Sequence, residues 1–120
     1  MKKLFVAAVM LLATFTLATA QQRQGMSPEE RAKTQTERLE KLLSLTADQK
    51  AKVHAIELQI GKEMTAERQR TQGDRDAMRA AMQKVNTKRD AEYRKVLTAD
   101  QYKKYLEDNE QRARERQRSN

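Results

Sequence analysis

The chain has 120 residues, 25 of them Lys or Arg against 17 Asp or Glu, for a formal net charge of +8, and it contains no Cys and no Trp. Without Cys there are no disulfides, no thiol nucleophile and no thiolate metal site. With only three Tyr and two Phe, there is no stack of aromatic side chains on which single-stranded nucleic acid could be read.

Residues 1–20 carry the three zones of a cleavable export signal. Lys2 and Lys3 form the charged start, Leu4 to Leu17 the apolar middle, and Ala18-Thr19-Ala20 a small-x-small cleavage site. The apolar run falls short of the roughly 20 residues that a membrane span needs. Export to the periplasm with a mature chain of 21–120 is therefore expected, and no Cys follows the site to carry a lipid. Without Lys2 and Lys3, 23 basic residues face 17 acidic ones, a net charge of +6. Both Phe lie in the signal, so Tyr93, Tyr102 and Tyr105 are the only aromatics beyond it. Leu, Val, Ile, Met and Ala can build only a single-layer core. A chain so short in large apolar residues is marginal alone, and pairing of two protomers as a homodimer is expected.

After a disordered lead-in at 21–26, the helical domain is expected over 27–110. Ser27-Pro28-Glu29-Glu30 reads as N-cap, Pro at N1 and Glu at N3. The first helix runs to about Leu43, with Ala32, Gln35, Leu39, Leu42 and Leu43 on one face. The second starts at Thr46, carries Val53, Ile56, Ile60 and Met64 as one stripe, and reaches about Gln72. Gly61 in its middle costs about 1 kcal/mol relative to Ala and marks a bend or a close crossing. Gly73-Asp74 breaks the pattern, Gly suiting a C-cap and Asp the next N-cap. The third helix shows Ala77, Met78, Ala81, Met82, Val85, Tyr93, Val96 and Leu97. Its stripe thins over the polar Asn86–Asp90, which predicts an open or curved segment. The fourth starts at Thr98, with Leu97 and Tyr102 placed as a hydrophobic staple. Beyond Glu107 no stripe remains, and 111–120 reads as a basic flexible tail.

The most informative pattern is a repeat. Leu45-Thr46-Ala47-Asp48-Gln49 returns 52 residues later as Leu97-Thr98-Ala99-Asp100-Gln101. In each copy Thr is the N-cap and Gln, three residues on, closes a capping box. One capping box is common; a spaced pair in a basic, Cys-free, exported helical chain is not. This pair resembles the Leu-Thr-x-x-Gln motifs of the periplasmic Spy/CpxP chaperone family, over most of residues 21–120. The resemblance implies an all-α fold of extended helical hairpins, about four helices in a thin single-layer cradle, paired as an antiparallel dimer. It also implies ATP-independent binding of unfolded or partly folded envelope proteins on a basic concave face. Other members of that family restrain envelope-stress signalling or bind metal. The chain departs from the family in lacking a Met- and His-rich leader and in having no Pro between the motifs.

Independently of that likeness, Met64, Met78 and Met82 interleave with Arg68, Arg75, Arg79, Lys84, Lys88 and Arg89. Flexible, polarizable methionines among cations suit a surface that accepts varied acidic partners. The same stripe equally suits an ordinary core edge beside a solvated charged face. His54 is the only imidazole, too little for a metal site, and no cofactor is expected. Nor is an enzyme, since no Gly-rich phosphate loop and no nucleophile-base set is present. Arg112, Arg114, Arg116 and Arg118 alternate around a helix, which gives no recognition face for nucleic acid. An anionic envelope surface suits them better. The remaining alternatives are an accessory regulator of a stress-sensing receptor and a metal-responsive envelope protein.

Overall fold

The computed structural model describes residues 25–120; the segment expected to be an export signal (1–20) and the first part of the expected lead-in lie outside them. Four helices follow in order: α1 Pro28–Leu43, α2 Ala47–Thr71, α3 Arg75–Val96 and α4 Ala99–Arg118. The fold is all-α. Among the described residues no helix is long and apolar enough to cross a membrane.

The sequence signals act where they stand. Ser27 caps α1 in a complete capping box with Glu30. Thr46 and Thr98 do the same for α2 and α4 with Gln49 and Gln101. Such a cap contributes about 1 kcal/mol. The α2–α3 turn is made by Gln72 and Gly73, both at positive φ (37° and 87°), a backbone state that Gly adopts without Cβ strain. Asp74 then caps α3 by accepting from the amides of Asp76 and Ala77, each at 3.1 Å.

α2 is the middle helix, packed on α1 along one side and on α3 along the other, while α4 lies against α1 and α3. The core gathers where helix ends meet: Leu39 and Leu43 of α1, Val53 of α2, Tyr93 of α3, Leu97, and Tyr105 of α4. Leu45 and Tyr102 pack against that cluster, which contains Leu97. Each fully buried large side chain contributes about 1.5–3 kcal/mol. Gly61 sits where α1 begins: a Cβ there would meet the Pro28 Cβ at 3.4 Å. A methyl there would just touch Pro28, and only a larger side chain would push α1 away.

Some expectations are corrected. Asn86–Asp90 do not open α3, which is continuous to Val96. Three polar members of that segment, Lys88, Arg89 and Asp90, find partners on other helices, and hydrogen bonds and ion pairs replace the missing apolar contacts. Leu42 is exposed at 38%, and Thr36 takes the buried place, its hydroxyl donating to the Ala32 carbonyl at 2.6 Å. Residues 111–120, expected as a tail, continue α4 as helix to Arg118. Pairs one turn apart support it there: Arg114 Nη2 to Glu110 at 3.2 Å and Gln111 Nε2 to Glu115 at 3.2 Å.

Candidate functional site

Three neighbouring constructions define the part of the molecule with the most chemistry. The first is the junction of the two repeated motifs. Gln49 Oε1 accepts from its own N-cap amide, Thr46 N, at 3.1 Å, and Gln101 Oε1 accepts from Thr98 N at 2.9 Å. The two side-chain amides also face each other. Gln49 Nε2 donates to Gln101 Oε1 at 2.7 Å, and Gln101 Nε2 donates to Gln49 Oε1 at 3.1 Å. Each Nε2 has one more proton, and each spends it on the last carbonyl of a preceding helix. Gln49 donates to Val96 O, the end of α3, and Gln101 to Leu43 O, the end of α1, both at 3.2 Å. The carbonyls at a helix end lack intrahelical donors, so one amide closes the start of its own helix and the end of another. The motif therefore has a purpose beyond capping: it clasps α1–α2 to α3–α4.

Below the clasp lies a polar network inside the helix layer. Glu57 is buried, at 6% exposure, and accepts a hydrogen bond from the Tyr93 hydroxyl. Arg89 Nε stands 3.4 Å from the same carboxylate oxygen, an ion-pair distance outside hydrogen-bond geometry. Burial, then the nearby Glu57 charge, pushes the Tyr93 phenol well above its ordinary range. Tyr105 meets Tyr93 edge to face, with centroids 4.7 Å apart, and its hydroxyl donates to Asp90 at 2.9 Å. Burial raises the Tyr105 phenol too. Arg38 Nη1 reaches Asp108 at 2.7 Å and ties α1 to α4.

The third construction is an open cleft of about 660 Å³ between α1, α2 and α4. Arg31 stands on the α1 side, Arg112 and Arg116 on the α4 side, and Arg89 reaches in from α3. Met26, Met64 and Gly61 supply apolar surface, and Glu57 and Glu115 are the only carboxylates in the lining. Four guanidiniums against two carboxylates make it a positive recess. Arginine's planar fork suits carboxylate ligands, and methionine adapts to varied shapes.

Of the residues singled out in the sequence, the cleft takes Met64 and Arg89. Met78 and Met82 are half-buried along α3, and the Thr71 hydroxyl donates to Met78 Sδ at 3.5 Å. Lys88 pairs with Glu63 across the α2–α3 seam. Arg68, Arg75, Arg79 and Lys84 are exposed. They do not share one face, because nine residues of helix at about 100° each put Lys84 opposite Arg75 around α3. Glu57, Arg31 and the pairing of Arg38 with Asp108 were not anticipated. Glu57 had a signal in the sequence: it falls between Val53 and Ile60 at i+4 and i−3, an acid on an apolar stripe. Arg89 stands the same way between Val85 and Tyr93. Such a matched acid and base on facing stripes announces a buried pair. His54 is half-buried on α2, and among the described residues no three His, Asp or Glu side chains converge as a metal site.

Comparison with known proteins adds a family without a function. No curated protein and no solved structure matches the chain. A family model described as a domain of unknown function, DUF4890, matches residues 18–105, which spans both repeated motifs and the helices they join. The chain belongs to the DUF4890 family.

Proposed function

We propose that this protein is an ATP-independent chaperone-like holder of unfolded or partly folded polypeptides in the bacterial envelope. One observation carries the reading: an open recess edged by arginines and methionines, at the meeting of three helices. A positive recess speeds encounter with acidic chain segments. Methionine lets one surface accept many sequences. The cleft is open and shallow, so contacts with any one client are dispersed and weak. The paired Leu-Thr-x-x-Gln phrases, similar to those of the Spy/CpxP chaperones, support the reading, and the export signal in residues 1–20 supports the location.

The test is suppression of aggregation. Residues 21–120, added at near-stoichiometric ratio to a chemically unfolded, aggregating protein without nucleotide, should reduce light scattering. The effect should weaken as salt rises past the point where the Debye length is about 8 Å. Undiminished scattering at several-fold excess overturns the proposal. Charge reversal at Arg112 and Arg116 should abolish the effect while the helical circular dichroism stays intact, because both side chains are exposed.

A further inference from the structure

The two halves of α4 are held very differently. Gln101, Tyr105 and Asp108 follow one another at four- and three-residue spacing, so they form one stripe on the face toward the body. Each is fastened: Gln101 in the amide clasp, Tyr105 to Asp90, Asp108 to Arg38. The same stripe continues through Arg112, Glu115, Arg116 and Ser119, and these line the cleft. Among the described residues, neither Arg112 nor Arg116 has an acidic partner within 4 Å, and all residues from Glu110 onward are exposed. Arg31 faces them from α1 with the same sign of charge. On its other flank α4 has room as well, a notch of about 450 Å³ against α3 lined by Asp90, Arg94 and Tyr102.

We propose that α4 is a lever that sets the aperture of the cleft. It pivots on the Gln49–Gln101 clasp. The Arg38–Asp108 ion pair, with side chains 30% and 21% exposed, is its outermost fastening. In the empty cleft, repulsion among Arg31, Arg112 and Arg116 holds the outer half of α4 away from α1. An acidic polypeptide segment entering the cleft neutralises that repulsion and draws α4 inward over itself. The occupant rests on the polypeptide-holding reading; the charge-gated motion does not. From Thr98 to Ala113 the arm is about 22 Å at 1.5 Å per residue, so a tilt of about 15° moves its tip by about 6 Å.

The chain has no native Cys, so a Lys33→Cys, Ala113→Cys variant accepts two spin labels at exposed sites outside the cleft. Pulsed dipolar spectroscopy then reads the α1–α4 separation. Poly-glutamate should shorten and narrow the distribution by several ångström, and poly-lysine should leave it unchanged. Arg112→Gln with Arg116→Gln should shorten it without any ligand, whereas Asp108→Asn should lengthen and broaden it. Distances that ignore poly-glutamate and both sets of substitutions, in chains with unchanged circular dichroism, overturn the lever. Because this readout needs no aggregating client, a silent aggregation assay with responsive distances removes the chaperone reading and leaves the lever standing.

Discussion

The two ends of the helix layer contrast sharply. At the junction end, four helices meet over Leu39, Leu43, Val53, Tyr93, Leu97 and Tyr105, and every amide proton of Gln49 and Gln101 is bonded across the meeting point. At the far end, beyond the Pro28–Gly61 crossing, α2 has α3 alone as partner, and only Thr71, Ala81 and Val85 are buried there. Layer packing is thus concentrated where the repeated motif stands. The α2–α3 tip is held by local helix bonds, small side chains and ion pairs such as Lys88–Glu63. Regions with few buried apolar contacts open at lower free energy than the global transition. On the proposed reading, such an unequal distribution lets one end keep its shape while the other yields.

The contrast is sharpened or broken by substitution. The largest effect belongs to the junction core: Leu39→Ala should cost about 2–5 kcal/mol. Val85→Ala at the far end removes two methyl-sized groups, about 1.6 kcal/mol at about 0.8 each. Urea titrations of both variants check this, and equal losses would erase the distinction between the ends. Next comes Tyr93→Phe, which strips Glu57 of its hydroxyl donor and should cost about 1–3 kcal/mol. The same phenol makes the junction sensitive to alkali. Tyr93 and Tyr105 both have raised pKa values in the folded chain, so they stay protonated where unfolded phenols ionise, near about pH 10. The unfolded state then binds fewer protons than the folded one, and stability held below that pH falls as pH rises beyond it. Tyr93→Phe should flatten that decline in denaturation midpoints taken from pH 8 upward.

Smaller effects separate capping from clasping. Thr46→Ala and Thr98→Ala should each cost about 0.5–2 kcal/mol and add without coupling. Gln49→Ala and Gln101→Ala share hydrogen bonds, so their double-mutant cycle should show a coupling of about 0.5–3 kcal/mol. A vanishing coupling would reduce the repeated motif to two independent caps. The smallest change runs the other way. Gly61→Ala should raise stability by up to about 1 kcal/mol through helix propensity, because the new Cβ meets Pro28 at 3.4 Å, close to ordinary contact. Gly61→Leu should lower it by pushing α1 away, and thermal melts of the two variants decide whether the crossing is as tight as the geometry says.

Much of the helix framework was legible because caps and breaks are local chemistry. Ser27, Thr46, Asp74 and Thr98 each sit one residue before a helix, and Gly73 lies in the turn where Gly was expected. The site was less legible. Met64 and Arg89 are named from the sequence and line the cleft, but nothing in the sequence separates Arg31 from the other cations of its helix. Arg112 and Arg116 were assigned to a tail, because nothing in a stretch without an apolar stripe tells whether another helix runs alongside. Asn86–Asp90 looked like a weakness in α3 for a related reason. Polar residues that bond to a distant helix and polar residues that face water have the same one-dimensional pattern.

Residue order alone determined where each helix starts, since a capping side chain and its amide lie within three residues of each other; it did not determine where α4 stops. It also determined the excess of positive charge and the absence of thiol chemistry. Only the tertiary structure decided that Gln49 and Gln101, 52 residues apart, share their amide protons, that Glu57 is buried against Tyr93, and that arginines from three helices open onto one cleft. Those outcomes depend on which helix faces meet, and that is settled by packing Leu39, Leu43, Val53, Tyr93, Leu97 and Tyr105 together out of water.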